Sequence, residues 1–286
     1  MNAFPPTGMK IAAIARSTAV ATAERVLPNG SSAPITEVIA EEVPVALVYN
    51  NISHAVMMAT PADLADFGLG FSLSEGILAD KDELMDIGVS ESDAGIEVRM
   101  AIALKRFRLL RNRRRTLAGR TGCGICGVES LEQAVRPVPP VAATTTVPID
   151  AIYAALAELP RQQAVNQLTR SVHAAAWVNK AGRIQLARED VGRHNALDKL
   201  IGAMAWRGLD AADGFALITS RCSVEMVQKA AAAGIPVLVA ISAPTALAGR
   251  VAEACNLTLV ALARPDSVLV VTHPERITHA MQAADQ

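Results

Sequence analysis

The sequence predicts an α/β protein in which a C-terminal, mainly parallel sheet with flanking helices follows a smaller N-terminal α+β domain. The second half alternates short apolar strands with single helices, as crossover connections between parallel strands require. The first half combines a hairpin pattern with one amphipathic helix. Residues 136–148 between them hold four prolines and three threonines, so we interpret them as an extended linker. A chain of 286 residues is long enough for about two domains.

Composition excludes several classes of protein. Hydrophobic residues make up 51% of the chain and charged residues 19%, which excludes a mainly disordered protein. A net charge of −1 and an aromatic content of 3% argue against a nucleic-acid partner. No apolar run reaches the roughly 18 to 20 residues that cross a bilayer, and no signal-peptide pattern opens the chain. We therefore expect a cytoplasmic protein with no membrane or nucleic-acid partner.

The first 135 residues divide into an arm and a domain. Residues 1–40 are rich in proline and predict a poorly ordered arm, and residues 41–135 predict the α+β domain. In that domain Val43 to Val48 and Ile52 to Met58 flank Asn50-Asn51, which predicts a hairpin because Asn tolerates positive φ. The alternation of Ile96, Val98, Met100 and Ile102 with polar residues predicts a half-buried strand over Gly95 to Leu104.

One helix is predicted between these strands. Thr60 would be its cap, Pro61 its first residue and Asp63 the partner in a capping-box pattern. Leu64, Phe67 and Phe71 would share its buried side.

Residues 149–286 are predicted to form the α/β domain, with turns or stops at Gly182 and Gly234. The predicted strands are Val172 to Val178, Arg183 to Ala187, Phe215 to Thr219, Pro236 to Ile241 and Leu257 to Leu262. The predicted helices are Arg193 to Ala205, Val224 to Ala232 and Ala246 to Ala254.

The sharpest motif is the C-x-x-C of Cys123 and Cys126, which is framed by three glycines. Glycine removes side-chain bulk and permits positive φ, so both sulfurs could be presented on an open loop. Four cysteines are too few for a disulfide scaffold, and a close pair in a reducing compartment is typically catalytic or metal-binding. Such a pair could exchange disulfides, transfer a persulfide or ligate a metal. Half of a zinc site and a purely structural loop are the alternatives, although Cys222 and Cys255 are far away in sequence.

A cationic segment precedes the cysteine pair. Between Val98 and Val128 there is no acidic residue. The nine cations of the segment are Arg99, Lys105, Arg106, Arg108, Arg111, Arg113, Arg114, Arg115 and Arg120. A positive field would favour thiolate over thiol. The segment could equally be a solvated helical face, or it could bind a phosphate-bearing ligand or an acidic partner.

Two polar clusters follow predicted strands of the second half. In the first, Arg193 and His194 begin a helix, and Asp190 and Asp198 would each lie one turn from His194 and orient its imidazole. The alternative is that Asp190 simply caps the helix.

The second cluster contains Ser220, Arg221 and Ser223 at the next junction between a strand and a helix. Because ligands bind at the carboxyl ends of strands in open α/β sheets, both clusters could face one crevice. Ser223 could instead be only a helix cap. Cys255, near a helix end, is predicted to be inert core.

Five segments in this order resemble the FdhD-type formate dehydrogenase accessory sulfurtransferases. They are MATPADLADFGLGFSLSEGIL (Met58 to Leu78), RTGCGICGVESL (Arg120 to Leu131), VHAAAW (Val172 to Trp177), REDVGRHNALDKLIG (Arg188 to Gly202) and CSVEMVQKAAAAGIPVLVAISAPTALA (Cys222 to Ala248).

The resemblance implies a C-terminal domain with a cytidine-deaminase-like fold, a homodimer, and transfer of sulfur from a cysteine desulfurase to formate dehydrogenase, the client. The substrate would be the client's molybdenum cofactor, bis-molybdopterin guanine dinucleotide, with a guanine nucleotide as its mimic. The deaminase zinc signature is absent, so deamination is not implied. No tightly bound metal is expected.

On this resemblance Cys123 carries the persulfide and Cys126 assists or resolves it. Arg193, His194, Arg221 and Ser223 would bind the cofactor. A segment after the last predicted strand matches another cofactor-binding segment of the family in position, and Arg264 is its clearest match. Its residues are Leu262, Ala263, Arg264, Pro265, Asp266 and Ser267. The rival functions are a thiol-disulfide oxidoreductase that uses the same cysteines and a non-enzymatic chaperone that binds the cofactor.

Overall fold

A four-stranded and a six-stranded β-sheet, each packed against helices, organise the chain in a computed structural model, which describes residues 14–118, 138–142 and 144–279. Two smaller, two-stranded sheets complete the described strands. The mixed α/β class agrees with the prediction. No helix in these ranges is both long and apolar enough to cross a membrane.

The segment predicted as a poorly ordered arm contains a β-hairpin. Strands β1 (Thr18–Val26) and β2 (Ser32–Ala40) pair antiparallel from Thr18 opposite Ala40 to Val26 opposite Ser32. Gly30 supplies a positive φ of 82° in the turn. The prediction was wrong over these residues because Pro34 lies within β2 without preventing the pairing.

The N-terminal domain is built on a four-stranded sheet. Its strands are β3 (Val43–Tyr49), β4 (Ile52–Ala59), β5 (Leu84–Ser92) and β6 (Gly95–Ile102). They lie in the order β4-β3-β6-β5. The predicted hairpin is confirmed, with positive φ at Asn50 and Asn51. The four alternating apolar residues of β6 are all buried, as predicted.

Helix α1 (Leu64–Ser74) covers the inner face of this sheet with Leu64, Phe67 and Phe71. The predicted cap is wrong, because α1 starts after Asp63, which has a φ of 54° and makes no side-chain cap. The hydrogen-bonding groups of Thr60 are used by the C-terminal domain instead. A second helix, α2 (Leu104–Ala118), follows β6.

The described part of the predicted linker packs against the C-terminal domain. Val141 is buried, and its N–H donates to the carbonyl oxygen of Cys255 over 2.8 Å. Strand β7 (Val147–Pro148) ends the segment and pairs with β14 (Ile277–Thr278).

The C-terminal domain is built on a six-stranded sheet. Its strands are β8 (His173–Asn179), β9 (Ile184–Asp190), β10 (Gly214–Ile218), β11 (Val237–Ala240), β12 (Thr258–Ala261) and β13 (Leu269–Val270). They lie in the order β13-β12-β11-β10-β8-β9. Within this sheet only β10–β11 and β11–β12 pair in parallel, whereas β12–β13, β10–β8 and β8–β9 pair antiparallel, so the predicted mainly parallel sheet is wrong. The reason is that β8 joins β9 by a hairpin and inserts antiparallel between β9 and β10.

Helices cover both faces of this sheet. Helices α5 (Arg193–Arg207), α6 (Val224–Ala232) and α7 (Ala246–Ala254) match the predicted helices and pack on one face. Helix α3 (Ile149–Gln162) covers the other face, was not among the predicted helices, and is followed by α4 (Ala164–Thr169).

The two domains meet where α1 packs against α5. A Cβ atom on Gly70 would overlap the carbonyl oxygen of Asp198, and one on Gly202 would overlap the carbonyl oxygen of Asp66. These glycines therefore let the two helix backbones approach each other more closely than side chains would allow. The contact fixes the position of α5, whose first turn lies at the candidate site.

Candidate functional site at the carboxyl edge

Four strands of the C-terminal sheet end at the same edge. Strands β9, β10, β11 and β12 run in one direction, and β8 begins beside their ends, with His173 opposite Asp190 and Ala175 opposite Ile218. The loops after these four strands therefore form a common rim, which we call the carboxyl edge. The topology brings both predicted polar clusters to it, as strand direction requires.

Backbone hydrogen bonds join the loops of the carboxyl edge. Cys222 bridges to Pro244, and its N–H donates to the carbonyl oxygen of Ala243 over 3.2 Å. The Leu262 N–H donates to the carbonyl oxygen of Ser242 over 3.1 Å. Three successive loops are thus fixed relative to one another.

His194 contacts a different carboxylate from the two that were predicted. Its Nε2 lies 3.0 Å from Oε2 of Glu225, in the first turn of α6. Asp190 and Asp198 are instead completely buried in ion pairs. The prediction failed because sequence spacing gives the distance along a helix but does not show which acids a neighbouring domain covers.

Asp190 forms the first buried ion pair. Its Oδ2 lies 2.6 Å from Lys199 Nζ and accepts the N–H of Thr60 over 3.0 Å. Its Oδ1 accepts the N–H of Gly192 and the side-chain amide of Asn195. Asp190 therefore joins the loop before α5 to the N-terminal domain, although Gly192 occupies the cap position.

Asp198 forms the second buried ion pair. Lys229 Nζ lies 2.9 Å from both of its carboxylate oxygens, and Ser74 Oγ donates to Oδ1 over 2.6 Å. Lys229 also contacts Glu75 over 2.8 Å. The pair joins α5, α6 and the end of α1, so the two helix starts at the carboxyl edge are held by a common buried network.

The charge of Arg193 acts on two histidines of the site, His194 and His173. Burial lowers the pKa of His194 below its usual value, and the Arg193 guanidinium lowers it further. The same two causes, in the same order, lower the pKa of His173. Both shifts favour the neutral form of the imidazole. Arg193 Nε is buried and has no hydrogen-bond partner among the described residues. A buried donor without a partner is a position where a ligand or water would be expected.

The remaining predicted residues of the edge differ in exposure. Arg221 is exposed, and Ser223 is the N-cap residue of α6 but donates its hydroxyl to Glu225 Oε2 rather than accepting from the helix. Ala263 is buried, whereas the other five residues of the 262–267 segment are exposed. Leu262 has a φ of 48°, an unusual conformation for leucine. No contact in the structure tests the predicted binding roles of these residues.

His173 and Glu225 extend the site beyond the residues predicted to bind the cofactor. His173 could not be assigned from sequence, because the position of β8 beside β9 and β10 depends on strand order. Glu225 could have been assigned to the site from the sequence, since it lies in the first turn of a helix that follows a strand end.

Cys123, Cys126 and Arg120 lie outside the described residues. The two described cysteines, Cys222 and Cys255, are buried thiols. Burial raises the pKa of Cys222 to about 12 and also raises that of Cys255. Because the thiolate is the nucleophile, neither is suited to sulfur chemistry.

Part of the cationic segment is used in local ion pairs. Arg99 pairs with Glu97 over 2.6 Å, and Arg106 pairs with Glu83 over 2.7 Å. Lys105, Arg108 and Arg111 are exposed on α2, which leads from the N-terminal sheet toward the cysteine motif in sequence.

Comparison with known proteins identifies the family. The model of the FdhD/NarQ family matches residues 40–278. The chain belongs to the FdhD/NarQ family. It is 54% identical over 246 residues to the sulfur carrier protein FdhD of Cupriavidus necator, covering 86% of this chain and 85% of that protein. It is 50% identical over 239 residues to the protein of the same name from Bordetella petrii, covering 84% of this chain and 86% of that protein.

A solved structure agrees with the fold of this FdhD/NarQ chain. A crystal structure from Desulfotalea psychrophila, described as a formate dehydrogenase accessory protein, superposes with a TM-score of 0.71 and 25% sequence identity. The alignment covers 91% of this chain and 99% of that one. The resemblance stated from the sequence motifs is therefore confirmed at the level of family.

Proposed function

We propose that the protein is a sulfur carrier required for formate dehydrogenase activity, with Cys123 as the residue that carries the sulfur. Family membership is the observation on which this depends, because relatives about half identical to this chain are named sulfur carriers. The raised pKa values of Cys222 and Cys255 support Cys123 and Cys126 as the reactive pair.

In the first step the Cys123 thiolate attacks the terminal sulfur of a persulfide on a cysteine desulfurase. A sulfur–sulfur bond forms on Cys123, the corresponding bond in the donor breaks, and the donor cysteine leaves as a thiolate. In the second step the Cys126 thiolate attacks Cys123 Sγ, and the terminal sulfur leaves as sulfide for the molybdenum. A disulfide then joins Cys123 and Cys126, and a cellular thiol reduces it to restore both residues.

The carboxyl edge is the proposed platform for the substrate, bis-molybdopterin guanine dinucleotide. Arg193 and Arg221 are at or beside two helix starts, where backbone N–H groups and guanidinium groups can together bind phosphate oxygens. The unpartnered Arg193 Nε supports a ligand at this position. The chain would act in the cytoplasm, as a homodimer, with formate dehydrogenase as its client.

The test of the sulfur-carrier proposal is the mass of the full-length protein after incubation with a cysteine desulfurase and cysteine. A mass increase of one sulfur atom is expected on Cys123, and Cys123→Ala should lose both this adduct and the activation of formate dehydrogenase. Cys255→Ala is the matched control and should keep both.

The rival functions give different results in the same assay. A thiol-disulfide oxidoreductase would form the Cys123–Cys126 disulfide without any sulfur adduct. A non-enzymatic cofactor chaperone would still activate formate dehydrogenase after Cys123→Ala. Either result would contradict the assignment of Cys123 as the carrier.

A further inference from the structure

The carboxylate of Glu225 is held in a defined orientation at the carboxyl edge. Its Oε2 accepts from Ser223 Oγ over 3.0 Å and lies 3.0 Å from His194 Nε2. The side chain is 55% exposed, so the carboxylate is accessible to a ligand. Two contacts on one oxygen limit its rotation, and a group fixed in this way loses little entropy when it binds.

The hydrogen-bond pattern leaves the second carboxylate oxygen available. A carboxylate only accepts hydrogen bonds, so His194 Nε2 carries the hydrogen in this contact. The two donors then occupy the lone pairs of Oε2. Oε1 has no hydrogen-bond partner among the described residues. The site therefore presents a free acceptor whose orientation is already fixed.

The charge around Glu225 indicates which part of a ligand it would contact. Arg193 and Arg221 lie at or beside the same two helix starts and suit an anion, whereas Lys229 is buried and paired with Asp198 and Glu75. A carboxylate in that setting would repel a phosphate, so a ligand made only of phosphate would not explain it. A ligand with both phosphates and a hydrogen-bond-donating edge fits both kinds of group.

Guanine has hydrogen-bond donors of this kind along one side of its ring. Its N1–H and 2-amino group are adjacent donors, and both can bond to a carboxylate. Adenine presents an acceptor at N1, which would face a negatively charged oxygen. A carboxylate that accepts from guanine and faces the N1 acceptor of adenine therefore favours guanine over adenine.

We propose that Glu225, oriented by His194 and Ser223, selects guanine by accepting hydrogen bonds from its N1–H and 2-amino group. The inference rests on the proposed function, because it assumes that the carboxyl edge binds a guanine dinucleotide. It adds the residue that would distinguish the base.

The experiment is calorimetry on the full chain with GDP, IDP and ADP as probes. IDP lacks only the 2-amino group. The wild-type protein should bind GDP at least tenfold more tightly than IDP or ADP, as expected for the loss of one charge-assisted hydrogen bond. Glu225→Gln should weaken GDP binding at least tenfold and reduce the ratio of GDP to IDP affinity toward one. It should not weaken ADP binding, because it removes the negative charge that would face adenine N1.

A matched control is Glu253→Gln, because Glu253 is an exposed acid near the end of α7 that lies away from the carboxyl edge. It should preserve all three affinities. A general loss of GDP, IDP and ADP binding in Glu225→Gln would show a positioning role and overturn the inference, as would unchanged affinity ratios. In both cases GDP binding by the wild type would still support the carboxyl edge as the binding platform. A wild-type protein that binds no GDP would overturn the platform and the inference together.

Discussion

The first turn of α5 and its middle turns use charged residues in opposite ways. In the middle turns, Asp198 and Lys199 are completely buried and paired. In the first turn, Arg193 has a buried Nε without a partner among the described residues, and His194 is partly exposed beside Glu225. The comparison suggests how to tell structural from ligand-binding charges within helix α5. Its buried, fully paired charges hold the domains together, whereas its incompletely paired charges are available to a ligand.

The largest expected effect is in the buried region. Lys229→Met should lower the free energy of unfolding by about 3–5 kcal/mol, because Asp198 would remain buried without its cation. Urea denaturation of wild type and variant measures this difference.

A second variant separates charge from packing. Adding Asp198→Asn to Lys229→Met removes the unpaired charge, so the double variant should recover much of the lost stability. If Lys229→Met alone cost less than about 1 kcal/mol, the interpretation of the ion pair as a buried structural contact would be wrong.

The next largest expected effect is on ligand binding in the exposed region. The variant concerned should leave the free energy of unfolding unchanged. Arg221→Ala should weaken GDP binding about tenfold or more, because a charge-assisted hydrogen bond contributes roughly 1.5–3 kcal/mol. Arg183→Ala is the matched control, since Arg183 is exposed just before β9, at the opposite edge of the sheet. Equal losses in the two variants would indicate only nonspecific attraction between GDP and surface arginines.

Local sequence signals predicted most helices and strands but not the sheet's strand directions. Helices α6 and α7 have the predicted bounds, because Ser223 and Thr245 precede them and an apolar strand follows each. The direction of the sheet could not be predicted, since β8 is inserted between β9 and β10 by tertiary pairing. The predicted cap at Thr60 failed for a related reason, because its groups bond to the other domain.

The site was predictable as a location but not as a set of contacts. Strand ends followed by Arg193, His194 and Arg221 were sufficient to indicate a common edge. The partner of His194 could not be predicted from the sequence, because Glu225 approaches from another helix and both predicted acids are buried in ion pairs. Cys123 and Cys126 lie outside the described residues, so their predicted role depends on the sequence motif and the family.

The smallest expected effect is a pH dependence from the first turn of α5. Burial and Arg193 lower the pKa values of His194 and His173 below the ordinary value of 6.5. Glu225 opposes this shift at His194, Lys229 adds to it, and Asp190 opposes it at His173. NMR titration of the imidazoles should therefore give midpoints below 6.5 for both residues.

The sign of the stability change follows from these lowered pKa values. Below pH 6.5 the unfolded chain takes up protons that the folded imidazoles do not yet bind, so the free energy of unfolding should fall as the pH falls. His194→Gln should reduce this slope, while the contribution of His173 remains. Glu225→Gln should move the His194 midpoint further down, because it removes the negative charge that favours the imidazolium form. A midpoint for His194 above 6.5 in the wild type would show that the attraction of Glu225 outweighs burial and Arg193, and the first turn would then be a paired region like the middle of α5.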